Sequence, residues 1–217
     1  MKLNNNLLQV FLLLKNESAN NYLVGGCVRD SLLGEKPKDF DIVTDIHMDK
    51  LEKIFTENGW SVDSVGKQFL VLFISKDGYQ YEIANFRLDG NYSDGRRPDK
   101  VEIGDINTDA ARRDFTVNSI YYDPINGSYI DPNNGLKDIR DRKLKFIGRP
   151  KDRISDDFLR VFRFYRFITK GFTPDKRSLK ACRELFNKAY LKTTPERVRM
   201  EIEKMVLEDK WVNIKQA

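Results

Sequence analysis

The stretch YLVGGCVRDSLLGEKPKDFDIVT, residues 22–44, decides the fold of this chain. Its first residues are apolar and favour a strand, which ends where Gly25 and Gly26 turn the chain into a short helix. After the helix, polar and apolar residues alternate as they do in a strand, so Asp39 and Asp41 would point to the same face of a sheet. The segment therefore predicts a strand, a glycine turn, a helix and a second strand that carries two carboxylates.

The glycine turn can bind a phosphate and the two carboxylates can bind a cation, and both features also have simpler explanations. Glycines let a backbone approach a phosphate, the start of a helix offers free N–H groups, and Arg29 adds a fork of donors. A Gly-Gly pair alone is more often only a turn. The two carboxylates can hold Mg²⁺ together with substrate phosphates, but the same pattern occurs on many solvated strands and in sugar-transferring enzymes.

The rest of the pattern is that of an α+β protein, with a mixed sheet before Ile147 and helices after it. Hydrophobic periodicity and turn residues define the individual elements. The predicted helices cover 7–14, 28–33, 48–58, 153–169, 176–188 and 195–208. The predicted strands cover 22–24, 39–43, 69–74, 79–86, 120–122 and 128–130, with an exposed loop over 89–99.

Composition excludes several classes of chemistry. The chain has 217 residues, of which 33% are charged, so it is long enough for one or two packed domains. No apolar run approaches the about 18 residues of a membrane span. The apolar stretch over 7–14 is interrupted by Gln9 and is not followed by a small-residue cleavage site, so we expect a cytoplasmic protein outside the membrane. Cys27, Cys182 and the single histidine, His47, are too few for a disulfide framework, a four-ligand zinc site or most triads. Chemistry must rest on carboxylates, Arg and Lys.

Charge divides the chain near Leu136. Residues 1–136 hold 15 Lys and Arg against 21 Asp and Glu, a net charge of −6, whereas residues 137–217 hold 23 against 12, a net charge of +11. The basic part favours a polyanion, and the acidic part favours cations or carboxylate chemistry. Solvated helices rich in Lys and Arg would give the same imbalance, so charge alone leaves both explanations open.

The order and spacing of the glycine turn and the carboxylates resemble the nucleotidyltransferase superfamily that includes DNA polymerase beta. Residues 22–44 look more closely like the signature of class II tRNA nucleotidyltransferases, which are the CCA-adding enzymes and their bacterial poly(A) polymerase relatives. The resemblance continues, in family order, through GNYSDGRRPDKVE (90–102), ARRDFTVNSIYYDP (111–124), DPNNGLKDI (131–139), ISDDFLRVFRFYRF (154–167) and TPERVRMEIEKM (194–205). It implies a nucleotidyltransferase head over 1–140 and an all-helical neck over 141–217 that selects nucleotides without a nucleic-acid template.

The resemblance also implies a set of site residues. Asp39 and Asp41 would hold Mg²⁺ and act in catalysis. Glu82 matches a third carboxylate that superfamily members often have on a following strand, although it could equally be an ordinary half-exposed strand residue. The residues matched to nucleotide binding are Gly25, Gly26, Arg29, Arg113, Asp114, Asp157, Arg160, Arg163 and Arg166.

Asp157 and Arg160 have a physical logic of their own. Three apart on one predicted helix, they would be neighbours on one face. A carboxylate can accept from the exocyclic amine of C or A while Arg donates to the adjacent ring nitrogen, and U and G present the opposite polarity. By analogy with groove readout, each mispaired contact costs about 1–3 kcal/mol. Without the resemblance, an i,i+3 salt bridge would explain the pair. Family members usually carry Glu where this chain has Asp156, and Arg163 and Arg166 extend an arginine stripe toward triphosphate or RNA.

Family members typically continue into further helical regions that grip tRNA, whereas this sequence ends at Ala217. It would be a naturally compact enzyme, a truncated form, or half of a split enzyme that needs a second subunit or a dimer. Three functions stay open: addition of C, C and A to the tRNA 3′ end from CTP and ATP with release of pyrophosphate; poly(A), CC-only or A-only addition; and RNA binding without catalysis. The predicted loop at 89–98 favours adenosine addition, because the resemblance implies that CC-only relatives lack it.

Overall fold

A seven-stranded mixed sheet organises the N-terminal part of the protein. The computed structural model describes residues 1, 3–90 and 100–207. The strands are β1 (Asn21–Val24), β2 (Asp41–Thr44), β3 (Ser61–Asp63), β4 (Val71–Lys76), β5 (Tyr79–Asn85), β6 (Arg87–Asp89), β7 (Val101–Ile103), β8 (Tyr121–Asp123), β9 (Ser128–Ile130), β10 (Lys143–Leu144) and β11 (Thr173–Pro174). The sheet has the order β3-β4-β5-β2-β1-β8-β9, and two further sheets pair β6 with β7 and β10 with β11.

Helices cover the sheet and then dominate the C-terminal part. They are α1 (Asn5–Lys15), α2 (Gly26–Leu32), α3 (Met48–Glu57), α4 (Ile106–Arg112), α5 (Gly135–Arg140), α6 (Pro150–Asp156), α7 (Leu159–Thr169), α8 (Lys176–Lys192) and α9 (Pro195–Leu207). In α1 the buried residues recur at helical spacing, from Leu7 through Val10 and Phe11 to Leu14, so one apolar face packs inward. Within the described ranges, no helix is long and apolar enough to cross a bilayer.

The two strands at the centre of the sheet are almost wholly buried. All four residues of β1 are buried, and so are the last three of β2. β2 pairs antiparallel with β1 and parallel with β5, and the parallel register sets Asp41 beside Glu82. Because hydrogen bonds on both sides hold β2, the carboxylate at its first residue stands on a rigid element.

The chain divides into two compact units. The first comprises Met1–Leu88, Val101–Ala110 and Asn118–Asn133, and the second comprises Asp89–Lys100, Ala111–Val117 and Asn134–Ala217. The first unit contains the large sheet. The second is helical and packs Phe115 against Phe146 and Phe167, with ring centroids 4.8 and 5.2 Å apart. The division into a head over 1–140 and a neck over 141–217, which the resemblance implies, stays a prediction.

The α+β class, the mixed sheet and the helical C-terminal part are confirmed. Two local predictions are wrong. The single helix predicted over 153–169 is two helices, because Asp157 adopts an extended conformation, with φ −150° and ψ 108°, between α6 and α7. Asp39 does not lie in a strand: β2 begins at Asp41, whose partner on β1 is Val24, the last residue of that strand. Residues 91–99, and with them most of the predicted loop, lie outside the described residues.

Candidate functional site

The N-terminal carboxylates gather at one end of the central strands. Asp41 is half-buried at the start of β2, and Glu82, also half-buried, is its neighbour on β5. Residues paired across parallel strands project from the same face of the sheet. Asp39 precedes β2 and is exposed to solvent. This edge of the first unit therefore presents acidic oxygen atoms that a dissolved cation can reach.

These oxygen atoms suit magnesium that is bound jointly with a nucleotide. Mg²⁺ is commonly held by one or two carboxylates together with waters and substrate phosphates, and Asp39 and Asp41 can supply the two carboxylates. Among the described residues, no three His, Cys, Asp or Glu side chains form a group that could hold a metal ion by themselves. Glu82 therefore does not complete a protein-only cage, and the donor set fits a metal whose remaining ligands come with the substrate.

The glycine turn connects β1 to α2 beside these carboxylates. Gly25 has φ 80° and ψ −132°, a combination open essentially to glycine alone. One turn into α2, the buried Arg29 donates from Nη1 to Oδ1 of Asn118 at 2.6 Å and from Nε to Oδ1 of Asp30 at 2.8 Å. These contacts fix the direction of the guanidinium that the sequence assigned to nucleotide binding.

Cys27 lies in the first turn of α2, inside the protein. Its thiol is buried and donates to the carbonyl oxygen of Val24 at 3.3 Å. Burial raises the pKa of Cys27 to about 12, and the nearby Asp41 and Asp39 carboxylates also disfavour a thiolate there. Cys182 is likewise buried, and neither cysteine forms a disulfide.

Gly25→Ala is expected to lower the free energy of unfolding by about 1–3 kcal/mol, because a Cβ atom strains this backbone conformation. Gly26→Ala is the matched control: its Cβ would lie 3.7 Å from Nη2 of Arg29, an ordinary contact, and alanine favours a helix by about 1 kcal/mol over glycine. Urea denaturation of both variants measures the difference. Equal losses of stability at the two positions would contradict the special role of the Gly25 backbone.

An arginine-rich cavity of about 290 Å³ lies in the second unit. Its lining residues are Arg112, Arg113, Asp114, Asp157, Leu159, Arg160, Arg163 and Arg197. Five arginines against two aspartates give the cavity a positive lining that attracts anions. Its volume is at the lower end of the range for small-molecule sites. The structure therefore brings five of the residues predicted to bind nucleotide, at positions 113, 114, 157, 160 and 163, to one cavity.

Asp157 occupies the break between α6 and α7 and is held by α9. Arg197 donates from Nη1 to Oδ1 at 3.1 Å and from Nη2 to Oδ2 at 2.9 Å. Oδ1 also accepts the backbone N–H of Leu159 at 3.1 Å. Each carboxylate oxygen has two lone-pair sites, so Oδ1 is fully used while Oδ2 can accept one more hydrogen bond. The partner of Asp157 is Arg197 rather than Arg160, and the simple i,i+3 salt bridge is wrong.

Arg160 is fixed mainly by backbone carbonyl groups. Nη1 donates to the carbonyl oxygen of Arg153 at 2.9 Å and more weakly to Asp156 at 3.4 Å, and Nη2 donates to the carbonyl oxygen of Arg112 at 2.8 Å. A guanidinium carries five N–H donors, so the Nε–H and one Nη2–H stay available. Arg160 thus has a fixed position with spare donors, at the same cavity where Asp157 has a spare acceptor site.

Asp114 and Arg163 form a charge pair at the cavity. Nε and Nη2 of Arg163 donate to Oδ2 of Asp114 at 2.8 and 2.6 Å, while Oδ1 accepts the N–H of Phe115 at 2.8 Å. The Asp114 carboxylate raises the pKa of Arg163 above its usual value, so the guanidinium stays charged. Arg113 is half-buried and lines the same cavity. Arg113 and Asp114, the adjacent residues that the sequence analysis matched to nucleotide binding, thus both line this cavity.

Arg166 lies apart from this set. It is buried, donates from Nε to Oε2 of Glu201 at 2.5 Å, and has its guanidinium carbon 4.9 Å from the ring centre of Phe167. These contacts join α7 to α9, so the arginine stripe predicted from the sequence does not continue past Arg163. Sequence reasoning also missed Arg112 and Arg197 at the cavity. Both lie in blocks that carried the family resemblance, but no local spacing links Arg197 to Asp157, 40 residues away.

Comparison with known proteins supports the same interpretation. A family model, the poly A polymerase head domain, matches residues 21–145, more than half of the chain. Poly(A) polymerase I of Haemophilus influenzae is 37% identical over 177 residues, which cover 76% of this chain and 38% of that protein. The CCA-adding enzyme of Lactococcus lactis subsp. cremoris is 37% identical over 199 residues, which cover 88% of this chain and 48% of that protein.

The fold agrees with the sequence match. The crystal structure of the Bacillus stearothermophilus CCA-adding enzyme in complex with CTP has a TM-score of 0.78 and 31% identity, and the match covers 92% of this chain and 47% of that one. The chain thus spans less than half the length of these three similar proteins. The matched head domain, the similar sequences and the common fold show that the chain belongs to the poly A polymerase head domain family of nucleotidyltransferases.

Proposed function

We propose that this chain is the nucleotide-transferring part of a cytoplasmic, Mg²⁺-dependent tRNA nucleotidyltransferase. It would add C, C and A to the 3′ end of tRNA from CTP and ATP, with release of pyrophosphate. The CTP complex of the similar CCA-adding enzyme supports this choice of nucleotide. A second subunit or a dimer that supplies further RNA contacts is part of the proposal.

The observation that carries the proposal is the unused hydrogen-bonding capacity in the arginine-rich cavity. Oδ2 of Asp157 retains one acceptor site, and Arg160 retains two donors, once their contacts within the described residues are counted. C and A both offer an exocyclic amine next to a ring nitrogen acceptor, which matches one acceptor beside a donor. U and G carry a carbonyl group and a ring N–H at these positions and would leave both protein groups unpaired. One pair can therefore select both nucleotides without a nucleic-acid template.

The first unit would supply the groups for transfer. Asp39 and Asp41 would hold Mg²⁺, which when bound neutralises the charge of the phosphates and activates the attacking hydroxyl. Arg29, fixed by Asn118, would donate to the nucleotide phosphates. Gly25 and Gly26 leave the backbone open to a close approach by the triphosphate. Glu82 stands next to Asp41 and would add negative charge that favours metal binding at this edge.

A second candidate is poly(A) addition, which the similarity to Poly(A) polymerase I favours. The test uses the full chain with tRNA that lacks its last three nucleotides, Mg²⁺, and labelled CTP and ATP, supplied singly and together. Incorporation of two C and then one A is expected. A long run of A with ATP alone would favour the second candidate. CC-only or A-only incorporation would assign a partial activity, and RNA binding with no incorporation would refute a catalytic role.

A further inference from the structure

A cluster of exposed cations lies where α5, the sheet of β10 and β11, and α8 come together in the second unit. We call it the β10–α8 patch, and it consists of Arg140, Arg142, Lys145, Lys176 and Arg177. Lys143 pairs with Thr173 in the parallel register, and the N–H of Thr173 donates to the carbonyl oxygen of Arg142 at 2.6 Å. These bonds bring the segment after α5 next to the start of α8, so cations distant in sequence form one surface.

The five side chains are exposed and are not used inside the protein. Within the described ranges, none of them forms an ion pair or a side-chain hydrogen bond. Two neighbouring carboxylates have other partners: Asp141 pairs with Lys137, and Asp175 accepts the N–H groups of Arg177 and Ser178 and lies 3.9 Å from Nζ of Lys143. The patch therefore keeps its positive charge for an external anion.

Arg142 is held in an unfavourable backbone conformation. Its φ is 50°, in the left-handed region that disfavours residues with a Cβ atom, and a long side chain here is uncommon. Glycine or asparagine would suit the turn between α5 and β10 better. The chain has arginine at a position where the backbone conformation favours glycine or asparagine. Residues held in such unfavourable φ/ψ regions are common at functional sites.

The start of α8 shows the same conflict with stability. Lys176 and Arg177 are its first two residues, and its first turn contains no acidic residue, so the N-cap Asp175 alone offsets two cations at this end. The N-terminal end of a helix carries partial positive charge, so cations destabilise it and acidic residues are preferred there. Two independent features of the patch, a strained turn and an unfavourable helix start, thus oppose stability and favour binding to an anion.

We propose that the β10–α8 patch binds the phosphate backbone of RNA. The choice of RNA as the polyanion rests on the proposed function, whereas the presence of an anion-binding surface rests on the patch alone. Flexible Lys and Arg side chains without internal partners bind phosphates without reading the sequence, and each contact releases counterions. The patch consists of surface side chains outside the arginine-rich cavity, so it would add affinity without contributing to nucleotide selection.

The test compares two triple variants of the full chain that lose the same charge. The patch variant is Arg142→Gly, Lys176→Gln and Arg177→Gln, and the control is Lys188→Gln, Lys192→Gln and Arg199→Gln in the same unit. The dissociation constant for tRNA without its last three nucleotides is measured from 50 to 400 mM KCl, without nucleotide. For the patch variant, the slope of log Kd against log salt is expected to fall by about 2–3, at about 0.9 per lost phosphate contact, and the control is expected to keep most of the slope.

A stability readout separates this loss from unfolding. The patch variant is expected to have an equal or higher Tm than the unmodified chain, because the substitutions relieve the strained turn and the unfavourable helix start. If Arg142→Gly impairs folding, the double variant Lys176→Gln and Arg177→Gln is measured in its place, and its slope is expected to fall by about 1.8. An unchanged slope in the patch variant, or an equal fall of the slope in the control, would contradict the proposal that the β10–α8 patch binds RNA. Binding to vesicles with anionic lipid headgroups but not to RNA overturns RNA as its ligand. Because binding is measured without turnover, absent catalysis would not affect the result.

Discussion

Asp41→Ala is expected to lower the rate of nucleotide transfer by about 10²–10³-fold, which is the scale on which a single group that stabilises developing charge contributes to catalysis. Asp41 begins β2 and pairs on one side with β1 and on the other with β5, so its backbone is held on both sides. Alanine removes the proposed metal ligand at a half-buried position. RNA affinity should stay the same, because we expect the cations of the second unit, and not this carboxylate, to bind the RNA phosphates.

Asp45→Ala is the control for this prediction. Asp45 follows the other end of the same strand, is exposed, and accepts a hydrogen bond from Nδ2 of Asn20 at 2.8 Å. It should lose less than twofold in rate. Single-turnover incorporation of labelled CTP into tRNA lacking its last three nucleotides, over a range of Mg²⁺ concentrations, measures both variants. Retained turnover in Asp41→Ala would refute the assignment of Asp39 and Asp41 to metal binding.

The parts of this protein that sequence could predict are those set by local periodicity. The turn at Gly25 followed by a helix, and the apolar face of α1, need only neighbouring residues to specify them. Short strands were missed, including β3 and the pair of β10 and β11, because two or three residues carry too little alternation to detect. Their existence depends on a partner strand from elsewhere in the chain.

The break between α6 and α7 could not be predicted for a physical reason. Ile154, Phe158, Val161 and Phe162 are all buried, so the helical period of apolar residues continues across the break. The bonds that favour an extended Asp157 come from Arg197, which is 40 residues away and leaves no local signal. A residue can therefore lie in a recognisable motif while its conformation is set by a distant helix.

The arginines of α7 illustrate the same limit. Arg163 and Arg166 are three residues apart, so a helix rotates them by about 60° relative to each other. That rotation is enough to turn Arg163 toward Asp114 at the cavity and Arg166 toward Glu201. Sequence spacing can show that two side chains share a broad face, but only the packing of α9 decides which of them stays accessible to a ligand.

Asp157→Ala and Arg160→Ala are each expected to lower discrimination against UTP and GTP by about 10–100-fold, since each removes one contact worth about 1–3 kcal/mol. The two variants should differ in stability. Arg160→Ala removes the hydrogen bonds that Arg160 donates to the carbonyl oxygens of Arg153 and Arg112, and each lost bond costs about 0.5–1.5 kcal/mol of stability. Arg160→Lys keeps the charge but loses the planar fork, so it should fall between alanine and arginine in discrimination.

The hydrogen bonds of Asp157 determine how its side chain could contact a base. Because Arg197 and Leu159 use three of its acceptor sites, a base amine would meet Oδ2 in one orientation only. Asp157→Asn would replace one oxygen with a donor and lose the bidentate pair with Arg197, so it should relax selection as much as alanine does. Asp152→Asn is the control, because Asp152 is an exposed carboxylate on α6 that does not line the cavity. This variant should leave the discrimination against UTP and GTP unchanged. Competition between labelled CTP and UTP in one reaction measures the ratio of kcat/KM values. An unchanged preference in both alanine variants would mean that the cavity binds phosphate and that base selection lies elsewhere.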